Sequence, residues 1–389
     1  MEKLQGGLLV VAGYTAMQLT NDEQVPFAQE ATFWYLTGVE FPNWWLIIDS
    51  KRRKSWLVEP AIDDQHRIFE ESLLLDNAKE ISGITDIISK DEAMSMLRTA
   101  SRLHPIVYMV DLPDHSESFD FTLNPAIREL KDTLIRTFKT VRDFRLEIAK
   151  IRAIKQTSEL EWMQSAIDLT GAGIKAVREK LPKYTYEYQI EADLTQTFRY
   201  AGASGHAFEP IVSSGASTAT VHYFSNNNRL KKGGPLMLDI GARVNGYAAD
   251  ITRTIAVGKP TKRLVQIHAA VRSAQSEIIE LLRPGLLITD YQNSVDTIMK
   301  RHLVDLRLMK NIDDNTAYRT LLPHSVSHGL GIDVHEALGR PDVFLPGMVL
   351  TVEPGIYLQD EKLGVRIEDD ILITDTGHKN LSAKLSTDL

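Results

Sequence analysis

The strongest constraint on the fold of this chain is the segment from Pro235 to Gly258, PLMLDIGARVNGYAADITRTIAVG. Asn245-Gly246 stands between two β-like runs, and this dipeptide marks a two-residue hairpin turn because both positions tolerate positive φ. The turn fixes the register: Val244 opposite Tyr247 sets Asp239 opposite Thr252 and Gly241 opposite Asp250. Asp239 and Asp250 are then diagonal neighbours on one face, with Cβ atoms about 7 Å apart or less. Ile240, Ala242, Val244, Tyr247, Ala249 and Ile251 take the other face. Taken alone, this pattern also fits an amphipathic hairpin with a solvated polar side. Two carboxylates that close raise each other's pKa unless a cation lies between them, and a bound metal resolves the conflict.

Three further clusters bear on the same chemistry. His324-Ser-Val-Ser-His328-Gly-Leu-Gly-Ile-Asp-Val-His335-Glu336 carries three of the chain's 11 histidines, with glycines at 329 and 331 that allow close backbone approach. Neutral imidazole is a common metal ligand and the usual proton carrier near neutral pH. In Met348 to Tyr357, MVLTVEPGIY, an apolar strand ends on Glu353, which Pro354 holds extended. In Gly364 to Ile373, GVRIEDDILI, Arg366 and Glu368 share a face of another apolar strand. A structural salt bridge also accounts for those two residues, since buried charges are rare unless paired.

The chain has no cysteine, so any metal must be held by His, Asp and Glu. Four carboxylates with an imidazole form a hard, oxygen-rich set whose charge matches two divalent ions. Mn²⁺ suits it best, and Co²⁺ or Zn²⁺ is tolerated. Two-metal sites, with ions about 3.5–4 Å apart, lower the pKa of a bridging water and polarise a carbonyl, which is hydrolase chemistry.

With 389 residues the chain exceeds the roughly 250–300 at which single cores split, so two domains are expected. The first 140 or so residues read as a mixed α/β unit. Trp44 to Asp49 and Ser55 to Glu59 flank the basic turn Lys51-Arg52-Arg53-Lys54 as a hairpin, and Pro105 to Val110 reads as a buried strand. The junction falls between Leu123 and Lys155. Beyond it, a capping box Ser158-x-x-Glu161 opens a helix that Pro182 ends. Further helices are expected over 185–200, 262–282 and 290–303. Strand-rich segments are expected over 208–224, 236–257 and 348–374. Helices then strands, twice over, suggest two similar halves.

Composition excludes several partners. With 44 Lys plus Arg against 52 Asp plus Glu, the net charge of -8 leaves no cationic excess for nucleic acid. No run approaches the roughly 20 apolar residues of a membrane span. The apolar run from Gly6 to Ala16 reads as a buried strand rather than a signal peptide, because Glu2 spoils the basic start. A cytoplasmic protein is expected.

The order of these motifs resembles the proline-specific pita-bread metallopeptidases, the branch with Xaa-Pro dipeptidase (prolidase) and aminopeptidase P. FWYLTGVEFPNWWLII, from Phe33 to Ile48, is similar to the N-terminal domain of that branch. The resemblance implies an α/β (α+β) chain with an N-terminal creatinase/prolidase-like mixed α/β domain over 1–150 and a pita-bread catalytic domain over 151–389. It implies that Asp239, Asp250, His328, Glu353 and Glu368 bind two divalent ions, with Asp250 and Glu368 bridging and Glu353 also shuttling the proton of the attacking water. His222 and His335 match histidines that position the substrate and stabilise the tetrahedral intermediate. Arg366 matches a bracing arginine, His324 a supporting histidine, and Thr252 would orient a ligand carboxylate. Phe208 and Ser217 depart from the tyrosine and asparagine often found at their positions in the family.

On this resemblance the expected activity is hydrolysis of Xaa-Pro dipeptides through a metal-bridging hydroxide, with Arg340 clamping the proline carboxylate. The alternative is an aminopeptidase P that releases the N-terminal residue of longer Xaa-Pro peptides. A non-catalytic pita-bread binding module is a further alternative, and the intact ligand set argues against it. The family also implies a homodimer acting on small peptides with proline second.

Overall fold

A computed structural model of the chain describes residues 2–4, 6–113 and 116–389. The chain divides into two compact units, residues 1–148 and 149–389.

The first unit is built on a six-stranded mixed sheet made of β1 (Leu8–Ala12), β2 (Trp45–Asp49), β3 (Lys54–Glu59), β4 (Ile87–Ser89), β5 (Ile106–Met109) and β6 (Thr140–Asp143). Their spatial order is β4-β3-β2-β1-β5-β6. The expected hairpin is β2–β3, paired antiparallel across the basic turn. The run LLVVA is apolar throughout because β1 lies inside the sheet with both faces covered. Leu8 and Val10 pack with Leu97 and Leu130 on one side, and Leu9 and Val11 with Phe33 and Ile148 on the other. The strand covers five residues of the longer apolar run from Gly6 to Ala16, since Gly13 starts a loop.

The second unit opens with helix Thr157–Lys180. Its first-turn acid is Glu159, which accepts from the Gln156 N–H at 2.8 Å, rather than Glu161. Glu159 is preferred there because it also takes a 2.7 Å bond from the buried Tyr247 hydroxyl. Helices Glu187–Tyr200, Lys262–Ile279 and Ile288–Asp305 follow. Ile267, Val271, Ala274 and Ile278 recur at helical spacing and enter one core with Val352, Ile356 and Ile371. No helix among the described residues is long and apolar enough to cross a membrane.

The strands of this unit are β7 (Gly205–His206), β8 (Ile211–Ser214), β9 (Pro235–Ile240), β10 (Ala242–Val244), β11 (Tyr247–Ala248), β12 (Ile251–Ala256), β13 (Val349–Val352), β14 (Gly355–Leu358), β15 (Leu363–Arg366), β16 (Asp369–Ile373) and β17 (His378–Asn380). The hairpin register is the expected one: Val244 pairs with Tyr247 and Asp239 with Thr252. Asn245 and Gly246 both have positive φ, 46° and 79°. The hairpin strand is interrupted at Gly241, between β9 and β10, which belong to different sheets. A Cβ at Gly241 would overlap the Ala249 carbonyl, so only glycine lets the two strands approach there.

Two expectations about the strands also change. The segment 208–224 forms only β8, followed by a 3-10 turn, Gly215–Ala219, and a loop that carries His222. GVRIEDDILI is not one strand, because Arg366 in β15 pairs with Gly355 and Asp369 in β16 pairs with Val352. Pro354 breaks the partner strand for lack of an N–H, and the chain opposite breaks with it at Ile367-Glu368. A seam then joins the hairpin to this second half: Glu368 N–H donates to Thr252 O at 3.1 Å, and Thr254 Oγ1 donates to Arg366 O at 2.8 Å.

Candidate metal centre

The seam brings the ends of β9, β12, β13 and β15 around one cavity of about 550 Å3. Asp239, Asp250, His328, Glu353 and Glu368 all line it, as do His222, His324, His335 and Arg366. Donor atoms of Asp250, His328 and Glu368 lie within 4.8 Å of one another. His328 Nε2 stands 3.5 Å from Asp250 Oδ2 and 3.4 Å from Glu353 Oε1. Both separations exceed a good hydrogen bond, so the imidazole faces two carboxylates without being committed to either.

Electrostatics set the character of this cavity. Asp250 is 5% and Glu368 2% exposed. Burial first, and then the neighbouring carboxylates, push both well above the usual carboxylate range. Glu353 is raised to about 8, chiefly by burial, with Arg366 opposing. Burial lowers His328 to about 4, and the nearby His335 pushes the same way. The His328 and His335 rings meet edge to face at 4.3 Å. Neutral imidazole among carboxylates that lack enough countercharge is the environment of a cation site, and its oxygen-rich donors fit divalent ions.

The surrounding groups fix these donors. Arg366 is buried and is the one guanidinium among the described residues lining the cavity; its Nη2 donates to Asp239 Oδ2. Its Nε donates to Thr252 Oγ1 at 3.1 Å, and Thr252 Oγ1 donates to Glu368 Oε2 at 2.7 Å. His324 Nε2 meets the Tyr357 hydroxyl at 2.8 Å, and Arg366 Nη1 donates to that hydroxyl at 2.6 Å. His222 lies at the open side of the cavity, its ring stacked on Phe224 at 5.8 Å.

Arg340 is exposed, with φ of 52°, and is not among the residues lining the cavity. Phe208 lines the cavity beside Gly241. Ser217 serves the local turn instead: its hydroxyl donates to Ser214 O at 2.9 Å and accepts from the Asn228 amide at 3.3 Å.

Some contributors escape sequence reasoning. Tyr357 looks like ordinary core in an apolar strand, and only its hydroxyl marks it. Asp370 lies behind Asp250 and accepts from its N–H at 3.3 Å, which a run of acidic residues does not reveal. Glu336 next to His335 is buried and held by Lys155 at 3.1 Å and Arg152 at 3.0 Å. Its adjacency to His335 was the available signal.

Taken together, a two-halved α/β unit with a carboxylate-rich cavity at its seam defines a pita-bread metallopeptidase. Residues 161–375 match metallopeptidase family M24, and residues 1–108 match the aminopeptidase P N-terminal domain. The Xaa-Pro aminopeptidase of Escherichia coli K12 is 30% identical over 99% of this chain and 92% of its own. The Xaa-Pro dipeptidase of Pyrococcus furiosus is 32% identical over 64% of this chain and 67% of its own. The structure of E. coli aminopeptidase P in its low-pH form superposes with a TM-score of 0.85 at 28% identity, covering 98% of this chain and 92% of that one. The chain belongs to metallopeptidase family M24, in its proline-specific, aminopeptidase P branch.

Proposed function

We propose that this protein is an aminopeptidase P, a dinuclear-metal exopeptidase that releases the N-terminal residue from peptides with proline second. The observation that carries this reading over the dipeptidase is the extent of the likeness. An Xaa-Pro aminopeptidase matches over 99% of the chain, the dipeptidase over 64%. The dipeptidase remains the second reading, favoured by that same relative. It requires a cation for the proline carboxylate, for which Arg340 is the candidate.

In this reading Asp239, Asp250, His328, Glu353 and Glu368 would hold two divalent ions. Mn²⁺ suits the donors best and Co²⁺ or Zn²⁺ is tolerated. Bound ions supply Lewis-acid polarisation of the scissile carbonyl and acidify the attacking water. The remaining work falls to side chains. Glu353 takes the water's proton at its carboxylate and returns it toward the proline nitrogen. That nitrogen belongs to a tertiary amide and must be protonated to leave. His222 and His335 orient the peptide and donate to the carbonyl oxygen as charge develops on it. Arg366 orients Asp239 through its Nη2, and Tyr357 sets the His324 ring.

The test combines metal and residue. Chelation should abolish release of alanine from Ala-Pro-Ala, and Mn²⁺ should restore it. Asp250→Asn should lose metal stoichiometry and hydrolysis together. Activity that survives either treatment would overturn the proposal.

A further inference from the structure

His335 lines the metal cavity, whereas the next residue, Glu336, is buried and is not among the described residues lining it. The Glu336 carboxylate folds back over the loop that joins His328 to His335. Its Oε2 accepts from the Ile332 N–H at 2.8 Å and the Asp333 N–H at 3.3 Å, while the Glu336 N–H donates to Gly329 O at 2.8 Å. A Cβ at Gly331 would overlap this carboxylate, and one at Gly329 would overlap the Glu336 carbonyl oxygen, so the loop closes tightly around one side chain. The carboxylate is in turn held from behind. Arg152 Nη2 donates to Oε2 at 3.0 Å and Lys155 Nζ to Oε1 at 3.1 Å. Lys155 is itself fixed by its N–H, which donates to Gly347 O at 2.9 Å in the turn before β13. Arg152 also bonds Asp333 Oδ2 at 2.7 Å. Two cations meet two carboxylates, so the cluster is balanced and supplies the site with position rather than charge.

We propose that Glu336, clamped by Arg152 and Lys155, is a positioning residue for the reaction: it fixes the loop that sets the His335 imidazole toward the substrate. This rests on the reading above, in which His335 orients the peptide and donates to its carbonyl oxygen. Among the described residues no hydrogen bond holds the His335 ring, which meets the His328 ring edge to face at 4.3 Å. Its placement therefore depends on the backbone that carries it, and that backbone is tied down one residue later by Glu336. The opposite side of the loop docks on the hairpin, where the Ala248 N–H donates to Gly331 O at 2.9 Å and Arg243 Nη1 to Ile332 O at 2.7 Å. A donor that acts on developing charge must be held closely, since a misplacement of about 1 Å costs on the order of 100-fold in rate.

The experiment is a double-mutant cycle on the Mn²⁺-loaded full chain with Ala-Pro-Ala, using Glu336→Gln, His335→Ala and the two combined. Glu336→Gln keeps the shape of the side chain and removes its charge. It should lower kcat by about 10–100-fold with little change in KM, because the interaction it disturbs forms as charge develops. In the His335→Ala background the same change should cost no more than about twofold. Losses that multiply would mark a role in the fold at large and overturn the positioning. Metal content of Glu336→Gln should match the wild type; a loss of metal would place the effect at His328 and overturn the assignment to His335. In the metal-free protein, the His335 ring resonance, assigned by its absence in His335→Ala, should move in Glu336→Gln while those of His268 and His378 stay. An unmoved His335 signal would also overturn the proposal. If Glu336→Gln does not fold, Lys155→Gln loosens the clamp from its far end and carries the same cycle. A wild type that cleaves Ala-Pro but not Ala-Pro-Ala would remove the aminopeptidase reading alone, and the cycle on Ala-Pro then decides the role of Glu336. A wild type that cleaves neither would overturn both.

Discussion

Thr252 pairs with Asp239 across the hairpin, yet its hydroxyl reaches the other half of the fold and donates to Glu368 at 2.7 Å. The same oxygen accepts from Arg366 Nε at 3.1 Å, and Arg366 holds Asp239. One hydroxyl thus links carboxylates that come from opposite halves. Thr252→Val keeps the shape and removes the link. It should weaken metal binding by about 10–100-fold, the usual loss when a ligand's outer partner is removed. Thr252→Ser should retain most of the affinity. Competition against a chelator measures both, and equal affinities in all three proteins would refute the role.

Arg253 follows immediately and points to the opposite side. It is 1% exposed and bonds the Glu368 carbonyl at 2.6 Å and the Asp369 carboxylate at 2.7 Å. It also donates to the carbonyls of Leu385 and Ser386. Arg253→Met would leave Asp369 buried without its cation, which costs about 3–5 kcal/mol. Urea unfolding of the metal-free protein should register the loss as a lower midpoint, and an unchanged midpoint would be incompatible with a buried ion pair here.

The raised carboxylates make metal binding dependent on pH. Glu353 at about 8 keeps its proton in the metal-free native state over a range where the unfolded chain, near 4.5, has lost it. Native stability without metal therefore falls as pH rises through that window. Divalent ions need the ionised carboxylates, so their uptake releases protons and strengthens over the same range. His328, at about 4, is already neutral and does not compete. The gain in Tm on adding Mn²⁺ should grow from pH 6 to pH 8. A constant gain would contradict these protonation states.

Part of this site was legible in the sequence because Asp239 lies on a strand and Asp250 and Glu353 directly beside one, where the pattern is local. Asn245-Gly246 set a register that brought Asp239 and Asp250 to one face, and Pro354 fixed Glu353 at a strand end. What was not legible depends on pairings distant in the chain. The break at Ile367-Glu368 follows from Pro354 on a neighbouring strand, so GVRIEDDILI looked continuous. Tyr357 and Arg253 act through a hydroxyl and a guanidinium buried in apolar strands, where periodicity signals only core. His222 lies on a loop whose path no periodicity encodes. Arg340 stood out by closeness in sequence to His335; it is exposed, with positive φ, and is not among the residues lining the cavity.

The most direct measurement is kcat/KM of the Mn²⁺-loaded enzyme on the matched pair Ala-Pro-Ala and Ala-Pro. An aminopeptidase P should cleave the tripeptide faster, and Arg340→Ala should leave the ratio of the two unchanged. Faster cleavage of Ala-Pro, with a selective rise in its KM in Arg340→Ala, would contradict the assignment and identify a dipeptidase.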